Sequence, residues 1–367
     1  MPQVAAGLGA PGASGAPWGA WVVRVVEDDS STLTSRFIEV DDEGREHIFH
    51  KRGSELIYSV RGEFGWEETV VASAGLPAGM VVGGDGRAHL LQRASSLMVY
   101  HELLHGIHTV EVIDTRGGDR WDIALDGTGG VHVVYNLPSD DLVYAFRSSA
   151  GVPWALETVT DDAADEIEIA VGPAGVVHVV YIPTTFLDAR HVTRVSPGVW
   201  VNEEIPGCAS SLDLALDVAG NPTLSCWYFD GLYFARLTGG TWTRSRVEAS
   251  ARNGHQSTIE MDSKGLPHIA YSMLLTSSGD DLVNHPRPKY ASLTSAGWVV
   301  ETVDNDGTFN GYGPSLALDA MDRPHILYAL VWRARTLDPV DRDGALNPYA
   351  ELRIGTPVAS VLGAAGN

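Results

Sequence analysis

IALDGTGGVHVVY, residues 123–135, joins an apolar stretch, a glycine-bearing turn and a second apolar stretch led by a histidine. Short runs rich in β-branched residues, separated by a tight turn, read as two antiparallel strands. The unit recurs as FIEVDDEGREHIFH (37–50), MVVGGDGRAHLLQ (80–92), IAVGPAGVVHVVY (169–181), LALDVAGNPTLSC (214–226), IEMDSKGLPHIAY (259–271) and LALDAMDRPHILY (316–328). The leading histidine is His47, His89, His132, His178, His268 or His325, with Thr223 in the remaining copy. Three residues earlier stands Gly44, Gly86, Gly129, Gly175, Gly220 or Gly265, and Asp322 in the last copy. That position calls for a positive φ. Histidines repeating at one place in the unit read as packing and hydrogen-bonding elements.

The spacing is about 42 to 46 residues, then 57 across the last interval. It leaves room for two more strands per copy. A third strand carries an aromatic in LIYSV (56–60), LMVYH (97–101), LVYAF (142–146), LYFAR (232–236), KYASL (289–293) and PYAEL (348–352), while DARHVTR (188–194) lacks it. A fourth opens on tryptophan in WEETV (66–70), WALETV (154–159), WVNEEI (200–205), WTRSRV (242–247) and WVVETV (298–303). IHTVEVI (107–113) has no tryptophan. The seventh fourth strand is missing from the C-terminal end and appears at the N-terminal end as WVVRVV (21–26). Units of this length with four strands are propeller blades. The expected fold is therefore an all-β, seven-bladed β-propeller whose last blade is closed by residues 21–26, leaving no exposed edge at the join. The propeller spans 18–362, after a flexible small-residue lead-in at 1–17 and before a short tail at 363–367.

The consensus ALD-x-x-G-x-PHI-x-Y, L-x-YA and W-x-x-ETV resembles repeats of bacterial seven-bladed propellers, and more distantly sialidase-type, lectin and ulvan-lyase propellers. The resemblance covers residues 19–362 and implies the fold. The sialidase Asp-box is absent, so no single activity comes with it.

The 367 residues include 47 acids and 25 bases, a formal net charge of -22. Phosphate backbones are bound by clustered Lys and Arg, so nucleic acid is not an expected partner. No apolar run is long enough for a membrane-spanning helix.

On a propeller, the loops from each outer strand to the next inner strand share a face with the turns between second and third strands. The longest departures from the repeat, 272–288 and 329–347, fall on that face, and loops on a rigid scaffold are where binding concentrates. The residue three after the motif histidine also approaches it. It is tyrosine in four copies, and His50, Gln92 and Cys226 in the others. Arg52 and Arg93 follow as a basic cluster suited to a uronate or sialate carboxylate. Trp227, Tyr228, Trp332 and Arg333 complete the expected ligand-binding set, with aromatic faces for sugar rings. The expected partner is a saccharide, including acidic polysaccharide. The alternatives are a polysaccharide lyase or hydrolase using His50, His255, Tyr271 and Tyr312 as acid–base groups, a similarity to ulvan lyases, and a protein-interaction scaffold.

Three motifs remain. His101-Glu102-Leu103-Leu104-His105 matches H-E-x-x-H, which holds zinc only when both histidines share a helical face. Here it runs along a strand into a hairpin turn, so no metal is expected. Asp304–Gly307 and Asp338–Gly344 carry few of the oxygens calcium requires. They make calcium the one cofactor to consider, and no other is implied. Cys208 and Cys226 can bridge only if the loop carrying Cys208 folds back.

Overall fold

The computed structural model describes residues 21–27, 36–162, 164–184, 188–249, 253–273, 287–304, 309–332 and 349–357. They form seven four-stranded antiparallel sheets. Blade 1 runs Phe37–Val40, Glu46–Arg52, Glu55–Gly62, Gly65–Ala72, and blades 2 to 6 repeat that consecutive order. Blade 7 takes Phe309–Leu318, Pro324–Trp332 and Tyr349–Pro357 from the end of the chain, and Trp21–Glu27 as its outer strand. Trp21 pairs with Pro357 and Arg24 with Ile354, so the ring closes as the repeat implied. Among the described residues no helix is long and apolar enough to cross a membrane.

In blades 1 and 3 the repeat histidine ties the blade's first turn to its third strand. In blade 3, Asp126 Oδ1 accepts the backbone N–H of Thr128 at 2.8 Å and of Gly130 at 2.9 Å, closing the turn in which Gly129 has φ +83°. Asp126 Oδ2 then accepts His132 Nε2–H at 3.1 Å. That fixes the tautomer, so Nδ1 accepts the Tyr144 hydroxyl at 2.7 Å. Blade 1 repeats the arrangement with Asp41, His47 and Tyr58. In blade 4 the expected aromatic is replaced by His191, which donates to Glu203 at 2.7 Å and accepts from His178 at 3.0 Å. In blade 5 the Thr223 hydroxyl donates instead to the Ala215 carbonyl. Burial holds these histidines neutral, lowering His89 and His178 to about 4.

Blades meet through rings. Except in blade 2, the outer-strand tryptophan of a blade lies against the third-strand residue of the blade before it, as in Tyr100–Trp154, Tyr144–Trp200, His191–Trp242, Phe234–Trp298 and Tyr290–Trp21. Trp66 meets Ile354 of blade 7. Strand register corrects the sequence alignment here. The seventh third strand presents Ile354, paired with Leu327, at the position Tyr58 holds in blade 1, so PYAEL is offset from the other copies.

The inner strands face a central channel of about 460 Å³. Their inner edge has no neighbouring strand, so its N–H groups need other acceptors. Asp122 accepts Ile169 N–H at 2.8 Å, Asp213 accepts Ile259 N–H at 2.6 Å, and the Ser315 hydroxyl accepts Ile38 N–H at 3.2 Å, each reaching to the following blade. With Glu39, Glu168 and Glu260, five carboxylates line this space beside Arg36. Desolvation, then mutual repulsion, pushes Glu39 up to about 8 and Asp213 to about 7. Desolvation carries Asp122 to about 6, and Glu168 and Glu260 also rise. Arg36 falls to about 10 and stays a cation.

This sets a pH dependence. The folded channel keeps protons that the unfolded chain releases near pH 4, so this stabilisation is present at low pH and is lost as pH rises through roughly 6 to 8. The depressed histidines act oppositely, but only below about pH 6.5. Melting temperature should therefore fall between about pH 6.5 and 8.5 in a thermal-melt series. Glu39→Gln with Glu168→Gln should flatten that fall. A wild-type melting temperature that climbs over the same interval contradicts the channel assignment.

Candidate functional site

In blades 2 to 7 the residue at the third position after the motif histidine, or after Thr223 in blade 5, forms a buried clasp to the preceding blade. Tyr135 donates to Asp114 at 2.8 Å, Tyr181 to Asp162 at 2.9 Å, Tyr271 to Glu248 at 2.7 Å and Tyr328 to Asp304 at 2.7 Å. Each acid lies at the end of the preceding blade's outer strand. In blade 2 the clasp is Gln92 Nε2–H to the Ala74 carbonyl at 2.6 Å. In blade 5 it is covalent, a Cys208–Cys226 disulfide with Cα atoms 5.4 Å apart. The loop folds back through Gly207, whose φ is +76° and whose N–H bonds Asp188, and Cys208 O accepts Ala189 N–H. Sequence spacing left this bridge open. The equivalence of Cys226 with the tyrosines was the signal for it.

The clasp bears on the acid–base candidates. Tyr271 is fully buried against Glu248, and burial raises its hydroxyl far above the ordinary tyrosine range. His50 is also buried, at 3% exposure. His255 and Tyr312 lie on the inner strands Asn253–Met261 and Phe309–Leu318, but their side chains fall outside the described residues. The same is true of the Trp332 side chain. Arg333 and most of both long loops, 274–286 and 333–348, also lie outside them, as do 305–308 and hence both calcium stretches in large part.

The two described arginines part company. Arg52 is ion-paired with Glu68 at 3.0 Å on blade 1. Arg93 instead lines a cavity of about 440 Å³ on the loop-rich face, between blades 2 and 3. Its guanidinium lies 5.6 Å from the Trp121 ring centroid, and Nε–H donates to Ser95 O at 3.3 Å. Opposite stand Asp119, Asn136 and Asp140. Asn136 Oδ1 accepts the N–H groups of Asp119 at 3.0 Å and Arg120 at 2.9 Å, fixing the loop that carries Asp119. Gly118 permits this approach, since a Cβ there would lie 2.3 Å from Asn136 Oδ1. Asp140 sits at φ +73° in the facing turn. A cation, two carboxylates and an amide thus line one cavity, which offers hydrogen-bond donors and acceptors together. The sequence reading named Arg93 and did not name Asp119, Asn136 and Asp140, which line the same cavity from the following loop and the next blade.

Trp227 and Tyr228 cluster around Phe229 at the turn of blade 5, with ring centroids 5.7 and 4.9 Å from it. Phe229 is half exposed, and Arg244 stacks on Tyr228 at 4.8 Å. This platform is on the same face but lines a different part of it.

His101 lies on the strand Leu97–Leu104 and His105 in the following turn at φ +49°. His101 bonds His108 at 3.0 Å and Gln92 at 2.8 Å. Among the described residues no group of three His, Cys, Asp or Glu side chains is arranged to hold a metal ion.

No protein-family model matches the chain, and no curated protein matches its sequence. Solved structures do match in fold. Virginiamycin B lyase from Staphylococcus aureus, solved with quinupristin, superposes with a TM-score of 0.58 at 12% identity over 92% of this chain and 100% of its own. YCF48 bound to a peptide gives 0.58 at 12% identity, over 96% of this chain and 99% of its own. The Aleuria aurantia lectin, a six-bladed propeller described with a novel fucose recognition mode, gives 0.53 at 13% identity, over 77% of this chain and 99% of its own. At these identities the likeness shows the β-propeller fold and nothing narrower.

Proposed function

We propose that the protein is a saccharide-binding propeller whose ligand enters the loop-rich face between blades 2 and 3. The carrying observation is the shared cavity of Arg93, Asp119, Asn136 and Asp140. An arginine fork opposite carboxylates offers donors and acceptors together, which vicinal sugar hydroxyls satisfy. With two acids beside one arginine, a neutral sugar fits this pocket better than the acidic polysaccharide suggested by the basic cluster. The lectin among the fold relatives supports the class of ligand, and the Trp227–Phe229 platform supplies a stacking surface for further sugar units. A catalytic reading has less support, because Tyr271 and His50 are both buried.

The test is a glycan array holding neutral and uronate sugars, followed by calorimetry on the best binder. Arg93→Ala should weaken binding by roughly ten- to a hundredfold, as for a lost charge-assisted hydrogen bond of about 1.5–3 kcal/mol. Lys264→Ala, in an exposed turn of the opposite face, should leave it unchanged. Equal losses in both variants, or no loss in either, place the ligand elsewhere, and binding confined to uronate sugars makes it acidic.

A further inference from the structure

The cavity between blades 1 and 2 opens on the opposite face, at the turns. It measures about 350 Å³ and is bordered by Tyr58, Val60, Thr69, Leu103, His105 and His108 among others. Its origin is a break in the repeat. Register pairs His108 with Leu103 as it pairs Trp66 with Arg61, so His108 stands where the other six blades carry the tryptophan that fills the crevice. A second change accompanies it. His101 takes a position held by Ser59, Ala145, Val192, Ala235, Ala291 and Gly355 elsewhere. A Cβ on Gly355 would lie in van der Waals contact with the Trp21 ring, at 3.5 Å, so the side chain at this position borders the indole. Two histidines thus replace a small residue and an indole. Their stacked rings, 5.2 Å apart, leave the face of Tyr58 uncovered by the indole that Tyr100, Tyr144 and Tyr290 each receive at 5.3 to 5.4 Å.

The hydrogen bonds give the crevice a polarity. Gln92 Nε2–H donates to Ala74 O, so Gln92 Oε1 accepts His101 Nε2–H. His101 is neutral, so its Nδ1 accepts His108 Nε2–H. His108 is then left with Nδ1 as an acceptor, on a ring that borders the cavity. In three other crevices the indole N–H also meets an acceptor, Glu111 at 3.3 Å, Glu203 at 3.2 Å and Glu301 at 3.0 Å.

We propose that the crevice between blades 1 and 2 is a binding site for a small bicyclic aromatic molecule with an N–H donor, seated where the repeat elsewhere places its own indole. The ring lies against Tyr58, and the N–H is given to His108 Nδ1. Space is sufficient, since a cavity of roughly 150 Å³ already holds a benzene. The site lies in a different crevice from the saccharide pocket, on the opposite face and with different chemistry.

The experiment is titration of the full chain with indole and with 1-methylindole, read by saturation-transfer NMR and calorimetry. Indole should bind, and 1-methylindole should bind about three- to tenfold more weakly, as for one neutral hydrogen bond. His101→Ala with His108→Trp restores the pattern of the other blades and should abolish binding while raising the melting temperature. Thr69→Trp, at an exposed rim position, should block the crevice without touching the histidine pair. Absence of indole binding overturns the proposal. So does binding that survives both variants, which would make it non-specific.

Discussion

Removing residues 1–27 should lower the melting temperature sharply and leave an aggregating protein. Trp21 is buried at 7% exposure within a cluster of Tyr290, Val303, Leu316 and Tyr328, and its indole N–H donates to Glu301 at 3.0 Å. Losing a buried tryptophan alone costs about 3–5 kcal/mol. The truncation also removes the Arg24–Glu46 ion pair, which joins blade 7 to blade 1 and sits beside His325. Most of all, it exposes the whole edge of Tyr349–Pro357, an unpaired strand open to other chains. Differential scanning calorimetry and light scattering check this together. Equal melting temperatures for truncated and full chains would refute the assignment of Trp21–Glu27 to the last blade.

Arg147→Met should be the most damaging single substitution away from the ring closure. The guanidinium is 1% exposed between blades 2 and 3, bonded to Glu111 at 2.7 Å and Glu102 at 3.2 Å. It is stacked 4.5 Å from the Tyr100 ring and 5.0 Å from Trp154. Methionine keeps much of the packing but removes the cation from Glu111, which is partly solvated and retains the Trp154 indole N–H, so the loss should be about 1.5–3 kcal/mol, as for hydrogen bonds to charged groups. Glu102 retains Arg87, so Glu111 is the acid left exposed to the loss. Adding Glu111→Gln should recover part of the stability in chemical denaturation. If Arg147→Met alone is neutral, the pair contributes nothing net and the crevice is held by its rings.

The repeat was legible because a blade is a local object. Its turn glycines, its histidine and its tryptophan lie within one unit of about 45 residues, and seven copies average out local ambiguity. Closure by Trp21–Glu27 was legible for the same reason, since a missing seventh strand and a matching orphan at the other end are both visible in one dimension. The structural role of the repeat histidines followed from their regularity.

What lies between blades was not legible. The acids clasping Tyr135, Tyr181, Tyr271 and Tyr328 precede them by about 20 residues, each in the previous copy, where no local pattern marks them as partners. His191 in place of an aromatic, and Ile354 rather than Tyr349 opposite the next tryptophan, required strand register. Arg93 was named without Asp119 and Asn136 because a cavity between blades draws its walls from both. The channel carboxylates and the crevice beside His108 are likewise products of closing the ring. The amino-acid sequence by itself determined the blade, its number and its closure, because the blade depends on short-range hydrogen bonding and alternation and the closure follows from the unmatched strand at each end. The tertiary structure decided which side chains face one another across the crevices, because that depends on the packing of strands some 45 residues apart.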